Sequence, residues 1–275
     1  MVGMTGKSRI VNTVVRDCLY LNWALPLAEL PQPPGPLRYE VHEVDREKLV
    51  FVSALLFRHE SLHFEGLPEL RVSYPQFHLR LHVIDHDEMS AVWLRHILVP
   101  AWFVPGIRLF GRQPAEAGRF RFPRPSRDLE QEQWRWVVSR GSSFAVTARQ
   151  SSPRLGPGPR LGTWQQIVDS VRLRERAYIT TQAGIRCIST RQRSVPLWPV
   201  EASIEDYDLL EASRALGAVK AWPELHSSWL CPEIPFTFEL GSETSGVELR
   251  RSAVPVAPDP AMFRSRSRPA RKTAA

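Results

Sequence analysis

The chain has 275 residues, 43% hydrophobic and 24% charged, the balance of an ordinary globular protein long enough to bury a sizeable core. Its formal charge of +7 suggests nucleic acid until it is located: Arg250, Arg251, Arg264, Arg266, Arg268, Arg271 and Lys272 stand in the last 27 residues against one acid, Asp259. The body is therefore nearly neutral, which excludes a nucleic-acid site there and leaves the tail only non-specific contact with phosphates.

In chain order, residues 1–12 read as a flexible leader, because Met1 to Arg9 holds no apolar signal core. Lys48 to Phe57 is a nearly continuous apolar run, as in a strand covered on both faces. From Pro75 to Val83 the pattern has period two. Pro75, Phe77, Leu79, Leu81 and Val83 form an apolar face, and Gln76, His78, Arg80 and His82 a polar one. Leu94 to Phe110 is apolar but broken by Pro100 and Pro105, so a short helix is expected, with Trp93, Trp102 and Phe103 as packing residues. A membrane-spanning helix needs about 20 apolar residues, more than this stretch supplies, so no membrane partner is expected.

Trp134, Trp136 and Val138 alternate, Arg140-Gly141-Ser142 turns, and Phe144, Val146 and Ala148 alternate on the return, which predicts a hairpin. Residues 150–162 are a Pro- and Gly-rich loop. Thr163 caps a predicted helix from Trp164 to about Arg174, and a second hairpin runs from Ala177 to Arg193, turning at Ala183-Gly184. Ser203, with Asp206 three residues on, predicts another helix that stops at Gly217. Residues 249–275, with Phe263 as their single aromatic residue, read as a disordered basic tail.

Cys18, Cys187 and Cys231 are odd in number and widely spaced, so they predict neither a disulfide framework nor a thiolate metal site. They suit a reducing compartment, and the cytoplasm is the default expectation. Short strands with few helices predict one mostly β domain with flanking helices over 13–248, closed or half-closed.

Two sets of residues are candidates for function. His59-Glu60-Ser61-Leu62-His63 has the spacing of a zinc-peptidase motif, with Glu60 as base and Glu69 as a third ligand. On a helix its histidines would share one face; in a strand they stand about 13 Å apart, too far for one zinc. Gly66, Pro68 and the β-like run before the motif favour strand or loop, so a metal is not favoured and no cofactor is expected. Six of the eight histidines lie between His59 and His96, and strand pairing could bring His59 or His63 beside His78.

The second set is the polar row Gln76, His78, Arg80 and His82. It is either a solvated face or the wall of a cavity. On a cavity wall Arg80 needs an anionic partner, which a ligand carboxylate would supply, with His78 and His82 flanking it.

Several stretches together resemble an uncharacterised bacterial family, the domain of unknown function 2071 family in the acetoacetate decarboxylase-like superfamily. Leu21-Asn22-Trp23 with Leu37-Arg38-Tyr39-Glu40 resembles its first strand and helix. Tyr74-Pro75-Gln76-Phe77-His78-Leu79-Arg80 resembles its aromatic-Pro-Glu-x-Asn-x-Arg strand. Leu197-Trp198-Pro199-Val200 and Ser203 to Tyr207 resemble its late strand and helix. Gln76 and His78 depart from that pattern, while Arg80 keeps it. The resemblance implies a cone-like antiparallel β-barrel with a central cavity and flanking helices.

Acetoacetate decarboxylase forms a Schiff base on lysine. The windows that correspond here, Val99 to Phe110 and Arg112 to Glu116, hold none; the chain's lysines are Lys7, Lys48, Lys220 and Lys272. Arginine cannot replace a free neutral amine. The expectation is a cavity-bearing protein that binds a small carboxylic or anionic ligand. The alternatives are a non-catalytic interaction protein using the basic tail, and a metal-dependent hydrolase using residues 59–63. An oligomer is compatible with either.

Overall fold

Apolar residues fill both faces of several strands here because the centre of the fold is a wall with an enclosure on each side. The computed structural model describes residues 9–240, apart from 128–130, 158–160, 173, 182–183, 194, 214, 218 and 220, together with 244–245. The expected tail lies outside these residues, whereas the expected leader does not end at 12: β1 begins at Arg9 and pairs from that residue onward.

The strands are β1 (Arg9–Pro26), β2 (Arg38–Tyr39), β3 (Val41–Val44), β4 (Glu47–Phe64), β5 (Val72–Ile84), β6 (Ser90–Pro100), β7 (Glu116–Arg121), β8 (Trp134–Arg140), β9 (Ser142–Gln150), β10 (Arg176–Thr181), β11 (Gly184–Gln192), β12 (Trp198–Asp206) and β13 (Ser227–Leu240). The helices are α1 (Val104–Phe110), α2 (Trp164–Arg172) and α3 (Asp208–Ala212), with 3-10 turns at Leu27–Glu29 and Ala101–Phe103. The five longest strands form an antiparallel wall in the order β13-β1-β4-β5-β6.

The wall closes on itself twice. At one end β6 pairs with β10 through Val92 to Leu94, β10 with β11, and β11 with β13. At the other end β6 pairs with β7 through Leu98 to Pro100, and β8, β9 and β12 lead back to β13 at Trp229 and Leu230. The result is a mostly antiparallel, closed β architecture, with parallel pairing only where β6 meets β10 and β7.

The larger enclosure holds the most extensive hydrophobic cluster. Leu21 and Trp23 of β1, Phe77 and Leu79 of β5, Trp136 of β8 and Phe144 of β9 are all fully buried in it. The other enclosure holds aliphatic and aromatic groups, α2 at one end, and a cavity. Two bulges keep apolar side chains on its side of the wall. Asp17 takes a positive φ of 50°, and the inward residues change from Val11, Thr13 and Val15 to Cys18 and Tyr20. Ser61, at φ 54°, does the same for β4.

Both predicted hairpins form, and Gly141 takes the positive φ that the tight β8–β9 turn requires. Thr163 and Gln166 cap α2 reciprocally, which fixes the start of that helix as expected. The helix expected from Ser203 to Gly217 does not form: β12 runs through Asp206, and only α3 follows. Ser203 pairs with Thr147 instead, so strand pairing overrides a local capping pattern. The segment Leu94 to Phe110 is strand as far as Pro100, and only then turns into α1. Trp102, expected to pack, is 61% exposed. Where the resemblance implied an early helix, the chain makes only the 3-10 turn at Leu27.

Candidate functional site

The polar row of β5 is not a solvated face. Gln76, Arg80 and His82 are buried, and His78 is half-buried, on the side of the wall that faces the cavity. Phe77, Leu79, Leu81 and Val83 face the packed core opposite. Pairing with β4 sets Phe57 beside Gln76, Leu55 beside His78 and Ser53 beside Arg80.

The cavity has a volume of ≈ 370 Å³. Its walls are chiefly apolar, with Leu55, Phe57, Ile188, Phe236 and Phe238 among them, and Gln76, His78, His59, Thr190 and Arg174 interrupting. Leu67 and Leu70 of the β4–β5 loop border it and are 52% and 68% exposed, so they mark its mouth beside α1. Tyr20 and Cys18 line it where the wall approaches α2.

Behind Tyr20 stands Arg80. Its guanidinium lies 5.2 Å from the Tyr20 ring centre, and Nη2 donates to the Val171 carbonyl at 3.1 Å, near the C-terminal end of α2. Nε has no partner. Burial disfavours the charge of Arg80, and the groups that support it are Tyr20, Cys18 and Cys231, none of them a carboxylate. Two more buried arginines stand at the end of α2, Arg172 as its last residue and Arg174 just beyond it. Arg174 reaches Glu40 at 2.8 Å, and Arg172 donates to the Val195 carbonyl at 3.0 Å. Each of Arg80 and Arg172 acts on Tyr20 and Cys231, and Arg80 acts on Arg174, so the three form one positive cluster, in which Glu40 engages Arg174.

The histidines of the row are held neutral. Burial, then Arg80 and His59, lower His78 well below its ordinary range, and both its ring nitrogens lack a partner. Burial, then Arg174 and Arg80, do the same to His82, whose Nε2 lies 3.0 Å from the Ser53 hydroxyl. Ser53 in turn donates to Asn22 at 2.7 Å, so His82 belongs to a polar chain across β5, β4 and β1.

The residues of the H-E-x-x-H run are separated. His59 is buried, 3.2 Å from the Thr13 hydroxyl, and burial pushes its pKa down to about 3. Glu60 bonds to Arg16 at 2.7 Å, and His63 Nδ1 lies 2.7 Å from the Ser61 carbonyl. Glu69 sits exposed in the β4–β5 loop. His59 stands across from Tyr74, and Phe57 lies between His59 and His78 with ring centres 5.1 and 5.2 Å away. Among the described residues, the one group of three potential metal donors within 4.8 Å is Asp85, His86 and Asp87. Arg176 already engages both of its carboxylates, at 2.7 and 2.5 Å.

Sequence reasoning missed Tyr20, Arg172 and Arg174 as neighbours of Arg80, because β1 and the segment after α2 join β5 only through tertiary pairing. It also missed that Cys18 and Cys231 stand opposite each other on β1 and β13, both free and buried. Of the lysines, Lys48 lies exposed at the start of β4; Lys7, Lys220 and Lys272 fall outside the described residues.

The β wall closed on each side, with a cavity in one enclosure, has the fold of acetoacetate decarboxylase-like solved structures. An acetoacetate decarboxylase-like enzyme from Sphingomonas wittichii RW1 aligns over 86% of this chain and 92% of its own at 15% identity, with a TM-score of 0.53. The enduracididine biosynthesis enzyme MppR, complexed with the condensation product of pyruvate and imidazole 4-carboxaldehyde, covers 88% and 90% at 12% identity, with a TM-score of 0.57. The same enzyme complexed with pyruvate covers 89% and 92% at 12% identity, with a TM-score of 0.56. The DUF2071 family, described as an uncharacterized conserved protein, matches residues 13–230, and the chain belongs to it. No curated protein matches the sequence. Among the described residues, no helix is long and apolar enough to cross a membrane.

Proposed function

We propose that this protein binds a small organic acid in the cavity beside β5, with the carboxylate at the Arg80–Arg174 end. One observation carries the reading: the guanidiniums of Arg80 and Arg174 are buried in one cluster, where Glu40 engages Arg174 while Arg80 meets the Val171 carbonyl and the Tyr20 ring. A buried cation without an anion is costly, and partial neutralisation by the α2 carbonyl end offsets only a fraction of that cost. A ligand carboxylate supplies the missing charge, and the unpartnered imidazole of His78 offers it a hydrogen bond.

Tyr20 covers Arg80 from the cavity, so the acid meets Arg174 and His78 directly and Arg80 once the Tyr20 ring turns aside. MppR, of the same fold, binds pyruvate, which supports an acid as the class of ligand. The windows where a decarboxylase carries its Schiff-base lysine hold none here, so binding is non-covalent in this reading.

Calorimetric titration with hexanoate and with its neutral counterpart hexanamide tests the charge. Hexanoate is expected to bind, hexanamide to bind far more weakly, and Arg174→Met to cost roughly a hundredfold in hexanoate affinity, the scale of a hydrogen bond to a charged group. Equal binding of acid and amide would refute the proposal.

A further inference from the structure

We infer that the acid has about eight to ten carbons in all, its apolar chain filling the cavity from the arginine end to the mouth. This rests on the acid reading for its head group, and on separate observations for its tail. Between Arg174 and the rim the walls are Leu55, Phe57, Ile188, Phe236 and Phe238, surfaces that gain nothing from a short, strongly hydrated acid.

Volume sets the length. At roughly 30 Å³ per non-hydrogen atom, the share of one water in the liquid, a 370 Å³ cavity takes about a dozen atoms, a carboxylate with eight to ten carbons in all. Direction follows from the two ends. The inner end holds the buried arginines, whereas the mouth exposes Leu67 and Leu70 on a loop whose charges are Glu65 and Glu69 against Arg71. The tail therefore lies toward the mouth. Apolar burial along the chain adds to the affinity that the head group draws from the arginine end.

A titration series from butyrate to dodecanoate, with pyruvate and decan-1-ol beside it, tests the inference. Affinity is expected to rise about fourfold per added methylene and to level off near decanoate, the increment that one buried methylene contributes. Pyruvate or butyrate within about tenfold of decanoate would overturn the inference and leave the acid reading standing. Decan-1-ol matching decanoate, with the length dependence intact, would sustain the tail and remove the acid.

A paired substitution at exposed positions, Leu67→Glu with Leu70→Glu, locates the tail without touching the core. Decanoate is expected to lose about tenfold and butyrate to be unaffected. Decanoate binding unchanged in that variant would overturn the tail's placement.

Discussion

Arg80 holds its guanidinium over the ring of Tyr20, 5.2 Å from the centre, on the cavity side of a strand whose other face is solid core. The aromatic face supplies an attraction of about 2 kcal/mol when desolvated, well short of what burying a lone cation costs. In the proposed reading a ligand carboxylate makes up the difference.

The first consequence concerns stability without ligand. Arg80→Met keeps the length of the side chain and removes the buried charge, at the loss of one hydrogen bond to Val171. Buried charged groups replaced by apolar ones of similar volume give changes from neutral to a gain of about 1–4 kcal/mol. The variant is expected to melt at or above the wild-type temperature and to lose the stabilisation that hexanoate confers. A variant that melts several degrees lower would show that Arg80 is a structural anchor.

Glu40 sets its carboxylate against Arg174 at 2.8 Å. Glu40→Gln leaves Arg174 without its counter-ion and is expected to destabilise the protein by about 3 kcal/mol in urea unfolding. The same change is expected to tighten hexanoate binding, because the ligand no longer competes with Glu40 for the guanidinium. Weaker stability with unchanged affinity would place the carboxylate away from Arg174.

The buried histidines make stability fall with acid. His59 is held near a pKa of about 3 by burial, and His78 and His82 are also lowered well below 6.5, chiefly by burial. The unfolded chain takes up protons near 6.5 while the native one does not, so this stability is fully present above that pH and is lost as pH falls toward the folded values. From pH 7 to pH 5 each such histidine accounts for about 2 kcal/mol. Urea unfolding at the two pH values is expected to show His59→Gln losing about 2 kcal/mol less than wild type. An identical loss in the two proteins would mean that His59 charges freely in the native state.

Much of this site is legible in the order of residues 75 to 83, where strict alternation assigns Phe77 and Leu79 to one side and His78 and Arg80 to the other. Alternation cannot say what lies beyond either side. A solvated row and a cavity row read alike, and only the closure of β11 onto β13 decides between them. Ser203 and Asp206 mislead for a similar reason, since a capping pattern weighs little against pairing with β9. His59 and His63 are separated as extended geometry requires, although the bulge at Ser61, which the sequence does not announce, lets both border the cavity. Arg172 and Arg174 gave no signal, because their meaning depends on α2 folding back over the end of the enclosure.

The two faces of β5 also predict opposite effects for neighbouring substitutions. Phe77 is fully buried against Phe144 and His96, with ring centres 5.9 and 6.1 Å away, on the face of β5 turned from the cavity. Phe77→Ala removes most of an aromatic side chain from close packing and is expected to cost about 3–5 kcal/mol. Hexanoate affinity, measured below the melting temperature, should stay within about twofold. His78→Phe, one residue along, removes two unpartnered nitrogens from an apolar wall, so it is expected to leave stability unchanged or raised while weakening hexanoate binding about tenfold. Calorimetry on the two variants separates the roles. A strand that merely holds the fold together would lose stability at both positions and affinity at neither.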